Sequence, residues 1–166
     1  MSKDVSTLIV IAFVVLLLGL MVAGWYARKR RQSHIGAPQQ PPADLPGGHP
    51  SFTGKYVSTT LGGDQLNRVA VHSLGYRGNC SIEAHPTGIA IFRTGERDLW
   101  VPLHDLRGIS RASMTIDRVV ENNGLQVIEW NLDGTAVDSY FRMDDPEACE
   151  KALAGVMSNE RQSHDL

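Results

Sequence analysis

The sequence is poor in the short motifs that carry chemistry. Neither G-x-x-x-x-G-K-[ST] nor G-x-G-x-x-G occurs, so no loop is marked as a phosphate cradle. G-x-S-x-G, H-E-x-x-H and C-x-x-C are absent as well, which removes the usual signatures of a serine hydrolase, a zinc protease and a dithiol redox site. Cysteine is scarce: Cys80 and Cys149 allow one disulfide in an oxidising compartment and read as two buried thiols in a reducing one. The six histidines, His34, His49, His72, His85, His104 and His164, are scattered. His104 and Asp105 are adjacent, but neighbours on a strand point to opposite faces, so they do not read as a catalytic or metal pair. No catalytic residue, metal ligand or cofactor site is assigned, and an enzyme is not expected.

Charge is missing altogether from residues 5–27, a run of 23 residues dominated by Leu, Val, Ile, Phe, Met and Ala. About 20 apolar residues in a helix cross the hydrocarbon core of a bilayer. A cleaved signal peptide has a shorter apolar region, about 7–15 residues, and a small-residue cleavage site. This run is longer and closes on bulky Trp25 and Tyr26, so it reads as a retained span over residues 6–27. No charge interrupts it to mark a polar path, which argues against transport by this chain alone. Gly19 and Ala23 have the small-x-x-x-small spacing that lets two helices approach, and they mark the one candidate face for a homodimer.

The flanks orient the span. Lys3 and Asp4 precede it and nearly cancel, whereas Arg28, Lys29, Arg30 and Arg31 follow it. Cations beside a span stay cytoplasmic, and interfacial Trp and Tyr mark the headgroup level. The pattern predicts residues 1–5 outside, Trp25 and Tyr26 as interface anchors, the four cations as topology signal and headgroup contact, and the rest of the chain in the cytoplasm. Asn79-Cys80-Ser81 matches a glycosylation acceptor, but that chemistry belongs to the other side of the membrane.

Beyond residue 50, 11 Lys and Arg stand against 16 Asp and Glu, a formal net charge of −5. Such a domain is ill suited to nucleic acid or to broad adhesion on an anionic surface. Arg93, Arg97, Arg107, Arg111 and Arg118 read mainly as solvated strand faces, with a local cationic patch as the alternative.

Proline is also unevenly spread: Pro38, Pro41, Pro42, Pro46 and Pro50 are five of eight. Residues 28–50, a basic cluster followed by this Pro-rich stretch, carry too few apolar side chains to fold by burial and read as a flexible tether. From residue 51 short alternating runs take over. Strands are expected at residues 56–60, 68–73, 81–84, 89–92, 99–103, 106–112, 125–132 and 135–143. His85-Pro86-Thr87-Gly88, Thr94-Gly95-Glu96 and Asp133-Gly134 supply turns. In the last strand Val137, Phe141 and Met143 share one face and Asp138, Tyr140 and Arg142 the other. A closing helix is signalled by Asp145 as cap, Pro146 at the first position, and the stripe Cys149, Ala152, Leu153, Val156. Residues 51–159 make one domain and 160–166 a polar tail.

The order of strands, the segment "GIAIFRTGERDLWVPLHDLRGISRA", a late Trp-bearing strand and a final amphipathic helix together resemble bacterial pleckstrin-homology-like (PH-like) domains. The whole arrangement is similar to small actinobacterial single-pass membrane proteins, often catalogued as membrane or export proteins. The resemblance implies a mainly-β (α+β) fold: a bent antiparallel sheet of about seven strands, partly open, with a C-terminal helix capping one end. Lipid-binding members of the wider fold use a basic β1–β2 loop, whereas "LGGDQLNR" holds Asp64 and Arg68 and no cationic cluster. The expected role is thus a membrane-anchored adaptor with a protein partner and no nucleic acid, and Trp100, Trp130 and Tyr140 are the candidate partner surface. The alternatives are a domain responsive to lipid headgroups, or an accessory subunit of an export or envelope-synthesis complex.

Overall fold

A computed structural model of the chain describes residues 3–112, 114–115, 118–119 and 124–164. It divides into two units, Met1–His34 and Ile35–Leu166. The first is helix α1, Lys3–Arg31, of which Asp4–Ala27 is long and apolar enough to cross a bilayer and is wholly unburied. Its last turn is closed by local side chains. Ser33 Oγ donates to Arg30 O at 2.8 Å, and His34 Nδ1 lies 2.9 Å from Arg31 O. These groups satisfy carbonyls that the helix end leaves without partners.

The second unit is an antiparallel sheet with one helix. Its strands are β1 Ser51–Leu61, β2 Asp64–Arg68, β3 Gly78–His85, β4 Gly88–Arg93, β5 Leu99–Pro102, β6 Leu106–Ala112, β7 Met114–Thr115, β8 Arg118–Val119, β9 Leu125–Leu132 and β10 Thr135–Met143. The main sheet runs β5-β4-β3-β1-β10-β9-β6, with β2 as an eighth strand on β1, while β7 and β8 pair separately. Strand β1 is the pivot. Residues Ser51 to Tyr56 pair with β3 and Gly54 to Leu61 with β10, with a bulge between Tyr56 and Ser58 in the β10 pairing. A bulge adds a residue to one strand and bends it, which is how one long strand serves both halves of a folded sheet. Asp133 and Gly134 turn β9 into β10 with φ of 49° and 79°, the left-handed pair expected of Asp-Gly.

Helix α2, Pro146–His164, closes the unit. The Asp145 carboxylate accepts the Ala148 N–H at 3.1 Å, and Cys149, Leu153 and Val156 are buried in the main core. The helix continues through the residues read as a polar tail up to His164. That core also holds Ile82, Ile89, Ile91, Leu99, Val101, Ile128, Trp130, Val137 and Phe141. The opposite face of β10 is not simply solvated, because Tyr140 packs with Val57, Leu125 and Val127 in a smaller cluster.

Two expectations are corrected. The run at 68–73 is no strand: β2 ends at Arg68, and His72 and Ser73 take left-handed φ of 55° and 59°. The chain turns there because Val69 and Leu74, both fully buried, serve the core from a loop fastened to β1. Val69 N–H donates to Thr59 O and Thr59 N–H to Leu74 O, each at 2.9 Å. The second correction concerns the tether. From residue 35 the stretch lies against the sheet: Ile35 is in the core at 1% exposure, and Trp100 N–H donates to Gln39 O at 2.8 Å. Composition undercounted its anchoring, since a single well-placed isoleucine and one main-chain bond hold a segment that has few other apolar groups.

Candidate functional site

A chain of hydrogen-bonded polar groups runs through the interior. Trp130 Nε1 donates to Ser139 Oγ at 2.9 Å, Ser139 Oγ lies 2.7 Å from Thr59 Oγ1, and Thr59 Oγ1 lies 2.6 Å from Tyr56 OH. Tyr56 OH donates to Leu74 O at 2.8 Å. Each hydroxyl has one proton, so only one ordering satisfies them all. Ser139 gives its proton to Thr59, and Thr59 gives its own to Tyr56. Buried donors and acceptors in such a chain reinforce one another.

Arg93 is drawn into this framework. It is 5% exposed, its Nε and NH2 donate to Arg97 O at 2.9 and 2.6 Å, and NH1 donates to Ser73 O at 2.8 Å. Its guanidinium carbon also sits 5.0 Å from the centre of the Tyr56 ring. Arg93 is therefore a clamp between two loops and is not available to a headgroup. Arg111 is paired with Glu150 at 2.7 Å, whereas Arg97 and Arg107 are exposed. The side chain of Arg118 lies outside the described residues.

The three candidate partner residues are interior. Trp100 is 5%, Trp130 1% and Tyr140 2% exposed, so none is an open surface. Their size and apolarity put them inside, where large rings contribute most. On α1, Trp25 and Tyr26 are exposed with their rings in edge contact at 5.1 Å, and Arg30 and Arg31 are exposed in the last turn. Arg28 and Lys29 belong to α1, with side chains outside the described residues. Gly19 has open space around it, and Ala23 is exposed one turn on. His104 and Asp105 occupy a 3-10 turn between β5 and β6, 3.7 Å apart, with His104 largely in solvent.

The outer face of the sheet is what remains for recognition. A groove of about 520 Å³ lies among Thr53, Lys55, Asn79, Ser81, Asp98 and Asp144. A second, of about 440 Å³, lies where Pro41, Pro42 and Leu45 face Phe92 and Arg97. Both mix charge signs with apolar patches, and no group of His, Cys, Asp and Glu among the described residues is arranged to hold a metal.

Cys80 and Cys149 are free and buried. Burial pushes the Cys80 thiol up to about 12 and the Cys149 thiol up to about 11, and it raises the Tyr56 phenol as well. An unfolded thiol ionises near about 8.5. The folded values are raised, so this part of the stability is whole below about pH 8.5 and is lost as pH climbs through 11 to 12. Denaturant midpoints are expected to fall from about pH 9 upward, and a thiol reagent at pH 8 should label neither cysteine before unfolding. Rapid labelling of the folded chain would contradict the placement of both residues.

Sequence comparison agrees with this geometry. No curated protein matches the chain. A family described as Bacterial PH domain-like matches residues 35–157, a span that begins at the buried Ile35 and ends within α2. That covers well over half of the 166 residues, and the chain belongs to the bacterial PH domain-like family.

Proposed function

We propose that the chain is a membrane-anchored interaction module, with α1 spanning the plasma membrane and the PH-like unit serving a protein partner in the cytoplasm. PH-like domains are generally non-catalytic, and the reading assigns this one no reaction. One observation supports it best: the outer face keeps open grooves of mixed charge, whereas the hydroxyl chain from Trp130 to Tyr56 is paired within the interior. Recognition of an extended peptide needs that kind of surface, with main-chain bonds for affinity and side-chain contacts for choice. An anchor adds effective concentration, because confining both partners to one membrane makes their encounter more frequent. An accessory subunit of an export or envelope-synthesis complex is one form this role takes.

A lipid contact supplements the anchor. Arg28, Lys29, Arg30 and Arg31 follow the span directly, and each juxtamembrane cation near an anionic leaflet is worth about 1 kcal/mol. The acidic balance beyond residue 50 and the locked Arg93 disfavour a headgroup site on the domain itself. Topology is checked by fusing a reporter that works only outside the membrane after Leu166. Silence is expected, and an active reporter would overturn the orientation.

A further inference from the structure

Residues 35–48 form a strap with an unusual fit. Ile35 is buried and Pro38 and Pro41 are half-buried, with exposed Ala37, Gln39 and Gln40 between them. Contact every third residue is the period of a polyproline helix, which turns once per three residues. The strap meets the edge of β5 at Gln39, and Pro41, Pro42 and Leu45 share a groove with Phe92 of β4. There, Ala90 and Trp100 face each other across the β4–β5 pair. Both are buried, yet neither joins the main core that holds their neighbours Ile89, Ile91, Leu99 and Val101. They therefore lie on the opposite face, covered from outside. His85, also buried and next to the core residue Ala84, continues that face, with His49 of the adjoining segment against it at 4.5 Å between ring centres. The Trp100 ring lies over Gly88, where any side chain would collide with it.

The attachment of the strap is thin at this face. Trp100 N–H to Gln39 O is a single bridge at the outer edge of β5. Pro38, Pro41 and Pro42 have no N–H, so the ladder cannot extend along the strap. At its start His72 Nε2 meets Ile35 O at 2.9 Å. Beneath the far end, the buried His85 Nδ1 has no hydrogen-bond partner among the described residues. Gly47 and Gly48, the latter at φ 94°, provide a hinge with open space around both.

A buried tryptophan on the outer face, its outward N–H bonded to Gln39 and a proline-rich chain held there amount to a peptide site occupied from within. We infer that this face is a docking groove for a proline-rich extended segment of a partner protein, and that residues 36–48 are its resident occupant, displaced when the partner binds while Ile35 stays in the core. The inference rests on the proposed role as an interaction module and names the chemistry of the partner. The resident is tethered, so it competes at high effective concentration and keeps the groove shut against weak ligands.

The test uses the full chain in detergent micelles and a fluorescent synthetic peptide of residues 36–48 as probe. A protease site is inserted between Gly47 and Gly48, so that cutting takes place on the already folded protein. Probe binding should tighten at least tenfold after cutting, and a probe with every proline changed to serine should not bind. A second variant, Pro38→Ser with Pro41→Ser, should bind the probe without cutting while its melting curve stays cooperative. The inference is overturned if the cut strap stays bound and excess probe fails to displace it. Equal binding of the cut and uncut chains, or of the proline and serine probes, would overturn it too. A failed probe beside a protein captured by crosslinking in cells would remove the groove and leave the interaction role standing.

Discussion

Replacing Arg93 by alanine is expected to lower the unfolding free energy by about 3 kcal/mol or more, an effect far beyond that of an ordinary surface arginine. Three N–H groups of its fork reach Ser73 O and Arg97 O, and its face rests on the Tyr56 ring. Hydrogen bonds from a charged donor are worth about 1.5–3 kcal/mol, and the truncated chain leaves both carbonyls without that partner. Ser73 is held in a left-handed conformation that a serine adopts at a cost, so the loop loses the bond that helps to keep it there. Arg93→Lys keeps the charge but not the planar fork, and it should recover less than half of the loss. Chemical denaturation with parallel tryptophan fluorescence measures this. A change within about 0.5 kcal/mol, the range of a neutral surface substitution, would show that the clamp is not structural.

Trp130→Ala should cost about 3–5 kcal/mol, the usual range for removing a large ring from a core. Trp130 is 1% exposed and pairs through its backbone with Leu106 on one side and Val137 on the other. It also starts the hydrogen-bond chain that ends at Leu74 O. Trp130→Phe separates the two contributions. It keeps most of the ring but removes the donor to Ser139, so it should cost about 1–3 kcal/mol, with its effect reduced when Ser139→Ala is added. Additive effects in the double variant would mean that the indole N–H does not take part in the chain.

Much of the fold could be read from residue patterns because its signals are local. Alternation in β3, β4, β9 and β10, the Asp-Gly turn and the Asp145-Pro146 helix start each depend on a few neighbouring side chains. What escaped reading depends on distant partners. Residues 68–73 alternate like a strand, yet the carbonyls and amides of β1 recruit them as a loop. Arg93 sits at a strand position like any solvated arginine, and only the return of Ser73 and Arg97 makes it a clamp. The strap was hidden by composition: five prolines in residues 38–50 suggest a free linker, while the three-residue spacing Ile35, Pro38, Pro41 was the signal that it has a covered side. For the site, Trp25, Tyr26, Arg30 and Arg31 are exposed on α1, whereas Trp100, Trp130 and Tyr140, read as a candidate partner surface, are core. Large rings look alike in sequence whether they face a partner or the interior.

The most direct measurement is photo-crosslinking in living cells from Lys55 and Arg97, two exposed positions at the outer-face grooves. A discrete protein adduct is predicted with the full chain, copurifying in gentle detergent, and it should weaken at least tenfold when residues 1–31 are removed. No adduct above background, or an equal one from the chain without α1, would contradict a membrane-anchored interaction module.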